Sequence, residues 1–152
     1  MELDKISFNE ISEVWASNLW KDRQSPIKHI SSMVYLGGYD MSIYNNEPTF
    51  FSIKESGKIV AVNSGHMTIN GYYRSRGLWV KETHRNKGLT YILFNALCNQ
   101  ALSENAEHIW GISLVFSTST YGISRCGRCR LNGNCRDIFC QRVFGFIGHF
   151  SC

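Results

Sequence analysis

The sequence has few prolines, few charges and no long apolar stretch. It contains two prolines in 152 residues, with 18 % charged and 43 % hydrophobic residues. This composition excludes a disordered, low-complexity or collagen-like chain. No run of about 18 consecutive apolar residues occurs, and the acidic start MELDKISFNE lacks the apolar core of a secretory signal. We therefore expect a single domain over residues 1–152, located in the cytoplasm and without membrane contact.

Positive charge is concentrated at one end of the chain. Residues 1–116 carry 11 Lys+Arg and 11 Asp+Glu, whereas residues 117–152 carry five Arg, no Lys and one Asp. The net charge of +4 therefore belongs to the last segment, which also holds five of the six cysteines. The chain divides into a neutral body, 1–116, and an atypical Arg/Cys-rich end, 117–152.

The hydrophobic spacing predicts an α/β fold built on a mixed sheet. Ser7 and Glu10 form a capping box for a helix over 8–20, and Pro26 opens a second short helix that ends at Gly37. The later elements are strands over 49–54, 59–68 and 72–80, a helix over 88–105 and a strand over 109–116. The first three strands form an antiparallel meander, and the last three elements form a β-α-β unit with a parallel crossover.

The segment most suggestive of chemistry is GLWVKETHRNKGLT, residues 77–90. A strand ends there and a helix begins at Gly88, and a helix start presents unpaired amides with partial positive charge. Gly88 allows close approach of the backbone to a ligand, and Arg85 and Lys87 add charge. This pattern predicts a cradle for a phosphate or pyrophosphate. The alternative is a tight turn with solvated cations. Walker A and Rossmann glycine patterns are both absent.

This segment resembles the acetyl-CoA-binding motif of the GNAT family of N-acetyltransferases. That family has an L-x-V strand end followed by [QR]-x-x-G-x-[GA] at the helix start. The corresponding residues are Leu78, Trp79 and Val80, followed by Arg85, Asn86, Lys87, Gly88, Leu89 and Thr90. Thr90 replaces the final small residue, and Glu82 stands where many members have proline. The resemblance implies a GNAT-like acyl-CoA N-acyltransferase fold, with helices flanking a central mixed sheet and an atypical or truncated C-terminal end.

The resemblance also implies a function. Acetyl-CoA would be the co-substrate, with its pyrophosphate on the amides of residues 86–90 and its pantetheine arm along residues 78–80. A primary amine, of a small molecule or a protein, would attack the thioester directly. Asn134 matches a second family position near the chain end, whereas Gln141 falls where the family often has a tyrosine acting as general acid.

More than one residue could serve as the general base, and one residue is a candidate for the general acid. Glu82, just after the motif strand, is the candidate general base, directly or through water. Tyr121 is the candidate acid in place of the missing tyrosine. His66 is a second base candidate, although a structural role is the commoner one, and His84 is expected to border the phosphates. Aromatic side chains of the first two helices could line an acceptor cleft or pack in the core; these are Trp15, Trp20 and Tyr35.

The Arg/Cys-rich end permits other interpretations. Four cysteines could hold structural zinc, which is not favoured over reduced thiols; they are Cys126, Cys129, Cys135 and Cys140. Arginines without interleaved aromatics give little support to nucleic-acid binding, which is not expected. A homodimer could supply missing last strands. The alternatives to an acetyltransferase are a non-catalytic acyl-CoA-fold binding or inhibitor protein, and a metal- or nucleic-acid-binding role of this end.

Overall fold

The computed structural model describes residues 1–28, 47–68, 71–112 and 126–130. The strands are β1 (Glu2–Lys5), β2 (Thr49–Glu55), β3 (Lys58–Met67), β4 (Tyr72–Val80), β5 (His108–Ile112) and β6 (Cys126–Arg130). The helices are α1 (Phe8–Val14) and α2 (Leu89–Ser103). A π-helical turn, Trp15–Leu19, continues α1, and a 3-10 turn, Glu82–His84, precedes α2. The second predicted helix lies almost entirely outside the described residues, and the one-domain expectation stays a prediction.

The six strands form one sheet in the order β1-β2-β3-β4-β5-β6. Neighbouring strands are antiparallel except β4 and β5, which are parallel and joined through α2. This confirms the predicted mixed sheet with its meander and β-α-β unit. β1 and β6 were not predicted, because β1 has only four residues and β6, with the sequence CGRCR, has no alternation of apolar and polar residues.

Local hydrogen bonds determine the start of α1 and the end of α2. At the start of α1 the Ser7 hydroxyl accepts a hydrogen bond from the Glu10 amide at 3.3 Å, and the Glu10 carboxylate accepts one from the Ser7 amide at 2.9 Å. This confirms the predicted capping box. At the end of α2, Asn105 has a φ of 61°. The amides of Asn105 and Ala106 donate to the carbonyls of Leu102 and Ala101, so the last turn is closed by a Schellman motif.

The sheet packs a helix on each face. On one face α2 buries an apolar cluster with β2, β3, β4 and β5 that includes Tyr73, Leu93 and Leu97. On the other face α1 and its π-helical turn bury a smaller cluster with Ile11, Trp15, Phe50 and Val62. β4 contributes Tyr73 to the first cluster and Trp79 to the second. Its position is therefore determined by packing on both faces of the sheet.

Candidate functional site

The parallel pairing of β4 with β5 covers only the first part of β4. It runs from Tyr72 opposite His108 to Ser75 opposite Gly111. Within the described ranges, no strand pairs with the β5 side of β4 over the remaining residues, 76–80. The described pairing thus ends at Ser75, and the backbone donors and acceptors of residues 76–80 have no described partner on this side.

A β-bulge in β4 lies directly after Ser75, where the described pairing with β5 ends. Val62 of β3 is opposite Trp79, whereas Ser64 is opposite Arg76, so β4 holds one more residue than β3 between these pairs. Gly77 within the bulge has a φ of 74°, and Trp15 Nε1 donates a hydrogen bond to its carbonyl oxygen at 2.8 Å. A Cβ at Gly77 would lie 2.5 Å from Cζ2 of Trp15. Only glycine therefore fits this bulge without displacement of the buried indole.

The loop between β4 and α2 has the form of an anion cradle. Asn86 and Gly88 have φ values of 60° and 75°, and the residues 85–88 are exposed. In the part of the chain that the structure describes, no side chain caps α2 and no acidic residue stands in its first turn. A Cβ at Gly88 would meet nothing within 4 Å. The first amides of α2 therefore open towards solvent beside Arg85 and Lys87, which suits a phosphate.

The base of this loop is held to the β2–β3 hairpin by His84. Its ring is 8 % exposed, with Nε2 at 2.8 Å from Glu55 Oε2 and Nδ1 at 2.8 Å from Thr83 Oγ1. The hydrogen bond with His84 lowers the pKa of the Glu55 carboxyl below its ordinary value. Both ring nitrogens are engaged in these contacts, so His84 holds the base of the loop in place. The expectation that His84 borders the phosphates stays a prediction.

The structure places the predicted site residues on one continuous segment. Leu78 is 39 % exposed, Trp79 packs towards the α1 cluster, and Val80 packs towards the α2 cluster. These three residues therefore offer a ligand mainly their backbone. Arg85 Nε donates to the Val80 carbonyl oxygen at 3.4 Å, and Glu82 is exposed at the start of the 3-10 turn.

Other predicted residues lie elsewhere. Tyr121 and Asn134 lie outside the described residues, as do Tyr35 and Gln141. Trp15 is buried in the core, which confirms the packing alternative for this residue. His66 is buried as well, and burial together with the positive charges of Arg74 and Arg76 lowers its pKa to about 3. Its imidazole is therefore neutral near pH 7 and a weak base.

A group of cations at this face of β4 was not predicted from the sequence. The Arg74 guanidinium lies 5.1 Å from the Trp110 ring centroid, and the Arg76 guanidinium lies 5.4 Å from that of Trp20. Trp20 also borders an open pocket of about 520 Å³ whose other lining residues include Lys21, Asp22, Arg23, Ser25 and Arg76. The only sequence signal was the Arg-Ser-Arg spacing, which puts both arginines on one face of a strand.

The zinc interpretation stays untested, because Cys135 and Cys140 lie outside the described residues. Among the described residues, no group of three or more His, Cys, Asp or Glu side chains is arranged to hold a metal ion. Cys126 and Cys129 belong to β6, and two residues three apart in an extended strand are about 10 Å apart. A zinc knuckle needs a tight turn between such cysteines. No described helix has the length and apolarity needed to cross a bilayer.

Comparison with known proteins identifies relatives of this fold. Residues 13–117 match the family model described as the acetyltransferase (GNAT) family. No curated protein matches. An aminoglycoside 6'-N-acetyltransferase complexed with coenzyme A superposes with a TM-score of 0.56 at 14 % identity, covering 74 % of this chain and 62 % of that one. A GNAT-family acetyltransferase from Staphylococcus aureus Mu50 superposes with a TM-score of 0.51 at 11 % identity, covering 74 % and 73 %.

A third structure, a tandem GNAT protein from the clavulanic acid biosynthesis pathway, superposes with a TM-score of 0.52 at 15 % identity, over 78 % of this chain and 38 % of that one. This chain therefore spans less than two thirds of the length of the aminoglycoside enzyme and of the tandem protein. At these identities the likeness shows a common fold.

Proposed function

Because this chain belongs to the acetyltransferase (GNAT) family, we propose that it transfers the acetyl group of acetyl-CoA to a primary amine. The observation that carries this proposal is the junction of two features of the described residues: the half of β4 beyond its described pairing with β5, and the start of α2 without a side-chain cap a few residues later. An extended ligand that ends in a pyrophosphate matches both features at once. Coenzyme A is such a ligand, and one of the structures of the same fold holds it.

Residues of the β4–α2 loop would bind the phosphates. The amides of residues 86–90 would donate to the pyrophosphate oxygens, and Arg85 and Lys87 would offset their charge. The backbone of residues 78–80 would pair with the amide groups of the pantetheine arm, because this edge of β4 lacks a described partner strand. The thioester supplies an activated acetyl group, and the chain supplies its position.

Two residues, Glu82 and Tyr121, are proposed to transfer protons. Glu82 is exposed two residues after the end of β4, and we propose that its carboxylate takes a proton from the acceptor ammonium through water. The neutral amine then forms the new N–C bond while the C–S bond breaks, and the nitrogen releases its second proton to water to give the neutral amide. Tyr121 would return a proton to the departing thiolate, a role that its sequence position alone supports.

A matched pair of glycine substitutions tests the cradle. Gly57 and Gly88 both have a φ of 75°, and a Cβ at either would meet nothing within 4 Å. Gly57→Ala and Gly88→Ala should therefore each lower the free energy of unfolding by about 1 kcal/mol, the cost of the left-handed conformation. Only Gly88→Ala adds a methyl group to the proposed phosphate site. We expect it to weaken acetyl-CoA binding about tenfold or more, which is about 1.4 kcal/mol.

Isothermal titration with acetyl-CoA measures the binding, and release of free thiol in the presence of a panel of amines measures transfer. Absence of acetyl-CoA binding below millimolar concentration would refute the proposal, as would equal weakening by the two glycine substitutions. Tight binding without thiol release from any amine would favour the alternative of a non-catalytic binding protein. Glu82→Gln should lower the transfer rate and leave acetyl-CoA affinity unchanged.

A further inference from the structure

In the bulge of β4, two consecutive carbonyl groups accept hydrogen bonds from side chains of other elements. The Ser64 hydroxyl donates to the Arg76 carbonyl oxygen at 2.6 Å. Trp15 Nε1 donates to the next carbonyl oxygen, that of Gly77, at 2.8 Å. Ser64 lies on β3, opposite Arg76, and Trp15 begins the π-helical turn after α1. Two separate parts of the fold therefore determine the direction in which these two peptide groups point.

These hydrogen bonds also determine the direction of two amides. None of the described peptide bonds is cis, and in a planar trans peptide group the N–H points opposite to the C=O. The amide of Gly77 therefore points away from Ser64 on β3, towards the β5 side of β4. The amide of Leu78 likewise points away from the indole of Trp15. Since residues 76–80 have no described partner on the β5 side, a ligand bound there would meet two adjacent donors.

Ser64 belongs to a small polar cluster inside the sheet. Asn63 and Ser64 are 1 % and 0 % exposed. The Asn63 side-chain oxygen accepts from the Ser64 amide at 2.9 Å, and Asn63 Nδ2 donates to the Ser75 hydroxyl at 3.1 Å. Buried polar groups cost free energy unless they are hydrogen-bonded, and these bonds join β3 to β4 directly before the bulge. The backbone of Ser64 is thus held in place, and its hydroxyl stays within reach of the Arg76 carbonyl.

We propose that Ser64 and Trp15 are positioning residues for acyl transfer. They hold two amides of the bulge, those of Gly77 and Leu78, towards the thioester carbonyl of bound acetyl-CoA. Attack by the amine places negative charge on the thioester oxygen, and amides that are already oriented stabilise this charge without reorganisation. Neither side chain touches the ligand, so both act through the backbone of β4. The inference rests on the proposed acetyl transfer and adds the residues that prepare β4 for it.

Infrared difference spectroscopy of bound acetyl-CoA tests this role without an acceptor. The difference between complexes with ¹²C and ¹³C at the acetyl carbonyl isolates its stretching band from the amide bands of the protein. Donors aimed at the carbonyl oxygen polarise the C=O bond and lower the frequency of this band. We expect the wild-type band to lie below the bands of the Ser64→Ala and Trp15→Phe complexes, since each variant releases one of the two peptide groups.

Ser52→Ala is the matched control. Ser52 is also fully buried, on the neighbouring strand β2, and among the described residues its hydroxyl has no hydrogen-bond partner. The substitution removes the same hydroxyl from the same sheet and leaves the bulge intact, so the band should keep its wild-type frequency. With an amine acceptor, Ser64→Ala should bind acetyl-CoA as the wild type does and transfer the acetyl group about tenfold or more slowly. Ser52→Ala should retain the wild-type rate.

Several results would overturn the positioning role. One is a carbonyl band at the same frequency in wild type, Ser64→Ala and Trp15→Phe. Another is an equal shift in Ser52→Ala, which would show that the loss of any buried hydroxyl suffices. Loss of acetyl-CoA binding by a folded Ser64→Ala protein would assign the hydroxyl to binding alone. Trp15→Phe remains informative should Ser64→Ala destabilise the fold. Failure of the wild type to bind acetyl-CoA refutes the acetyl transfer itself, and titration shows this before any band is compared.

Discussion

Substitution of Gly77 by alanine is expected to destabilise the protein through one identified contact. Gly77 has a φ of 74°, a conformation that costs an L-residue about 1 kcal/mol. The new Cβ would also lie 2.5 Å from Cζ2 and 2.6 Å from Cε2 and Nε1 of Trp15. The indole is fully buried between Ile11, Phe50 and Val62, so it has little room to move away.

The magnitude follows from these two contributions. Forcing extra volume into a packed core costs about 1 to 3 kcal/mol. Together with the conformational cost, Gly77→Ala should lower the free energy of unfolding by about 2 to 4 kcal/mol. Gly57→Ala is the control, because Gly57 has a φ of 75° and open space around it, and it should cost about 1 kcal/mol. The difference between the two variants isolates the collision with Trp15.

Urea unfolding followed by far-ultraviolet circular dichroism measures both variants, and the Trp15→Phe background tests the cause. Phenylalanine lacks the part of the indole that the new Cβ would meet. Trp15→Phe alone loses the hydrogen bond to the Gly77 carbonyl and should cost about 1 to 3 kcal/mol. In that background Gly77→Ala should cost only about 1 kcal/mol. An unchanged cost of Gly77→Ala in both backgrounds would show that the indole does not determine the glycine at this position.

Two further predictions concern the loop and the end of α2. Because the pKa of Glu55 is lowered, its ionised form favours the folded state at pH above about 4.5, and this contribution is lost as the pH falls through the lowered pKa. Urea unfolding at a series of pH values should therefore show that the stability difference between wild type and Glu55→Gln shrinks on acidification. A stability difference that does not depend on pH would contradict the role of the His84 contact. Asn105 has a φ of 61°, so Asn105→Ala should lower the free energy of unfolding, measured by thermal unfolding, by about 1 kcal/mol. Asn105→Gly should leave this free energy unchanged. Equal losses in the two variants would contradict the left-handed conformation at the end of α2.

Elements with a local cause could be predicted from the sequence. The capping box at Ser7, the strand over 72–80 and the helix after Gly88 were recognised because spacing, caps and turn residues lie within a few positions of one another. The same holds for the loop of residues 85–88, whose charge and glycine stand next to a helix start. β1 could not be predicted, since its strand conformation depends on pairing with residues of β2 that lie 46 to 52 positions later in the chain.

The tertiary structure decided what these local elements face. A glycine within a strand suggests a bulge, but only the fold shows that Trp15, 62 residues earlier, occupies the space beside Gly77. Likewise, only the fold shows that Arg76 directly follows the last described β4–β5 pair and that its guanidinium lies 5.4 Å from the ring centroid of Trp20. The sequence by itself determined the family motif and the loop that we propose as a phosphate cradle, because both depend on backbone conformation over a dozen residues. The surroundings of Gly77 and Arg76 depend on contacts between distant segments, which no local pattern records.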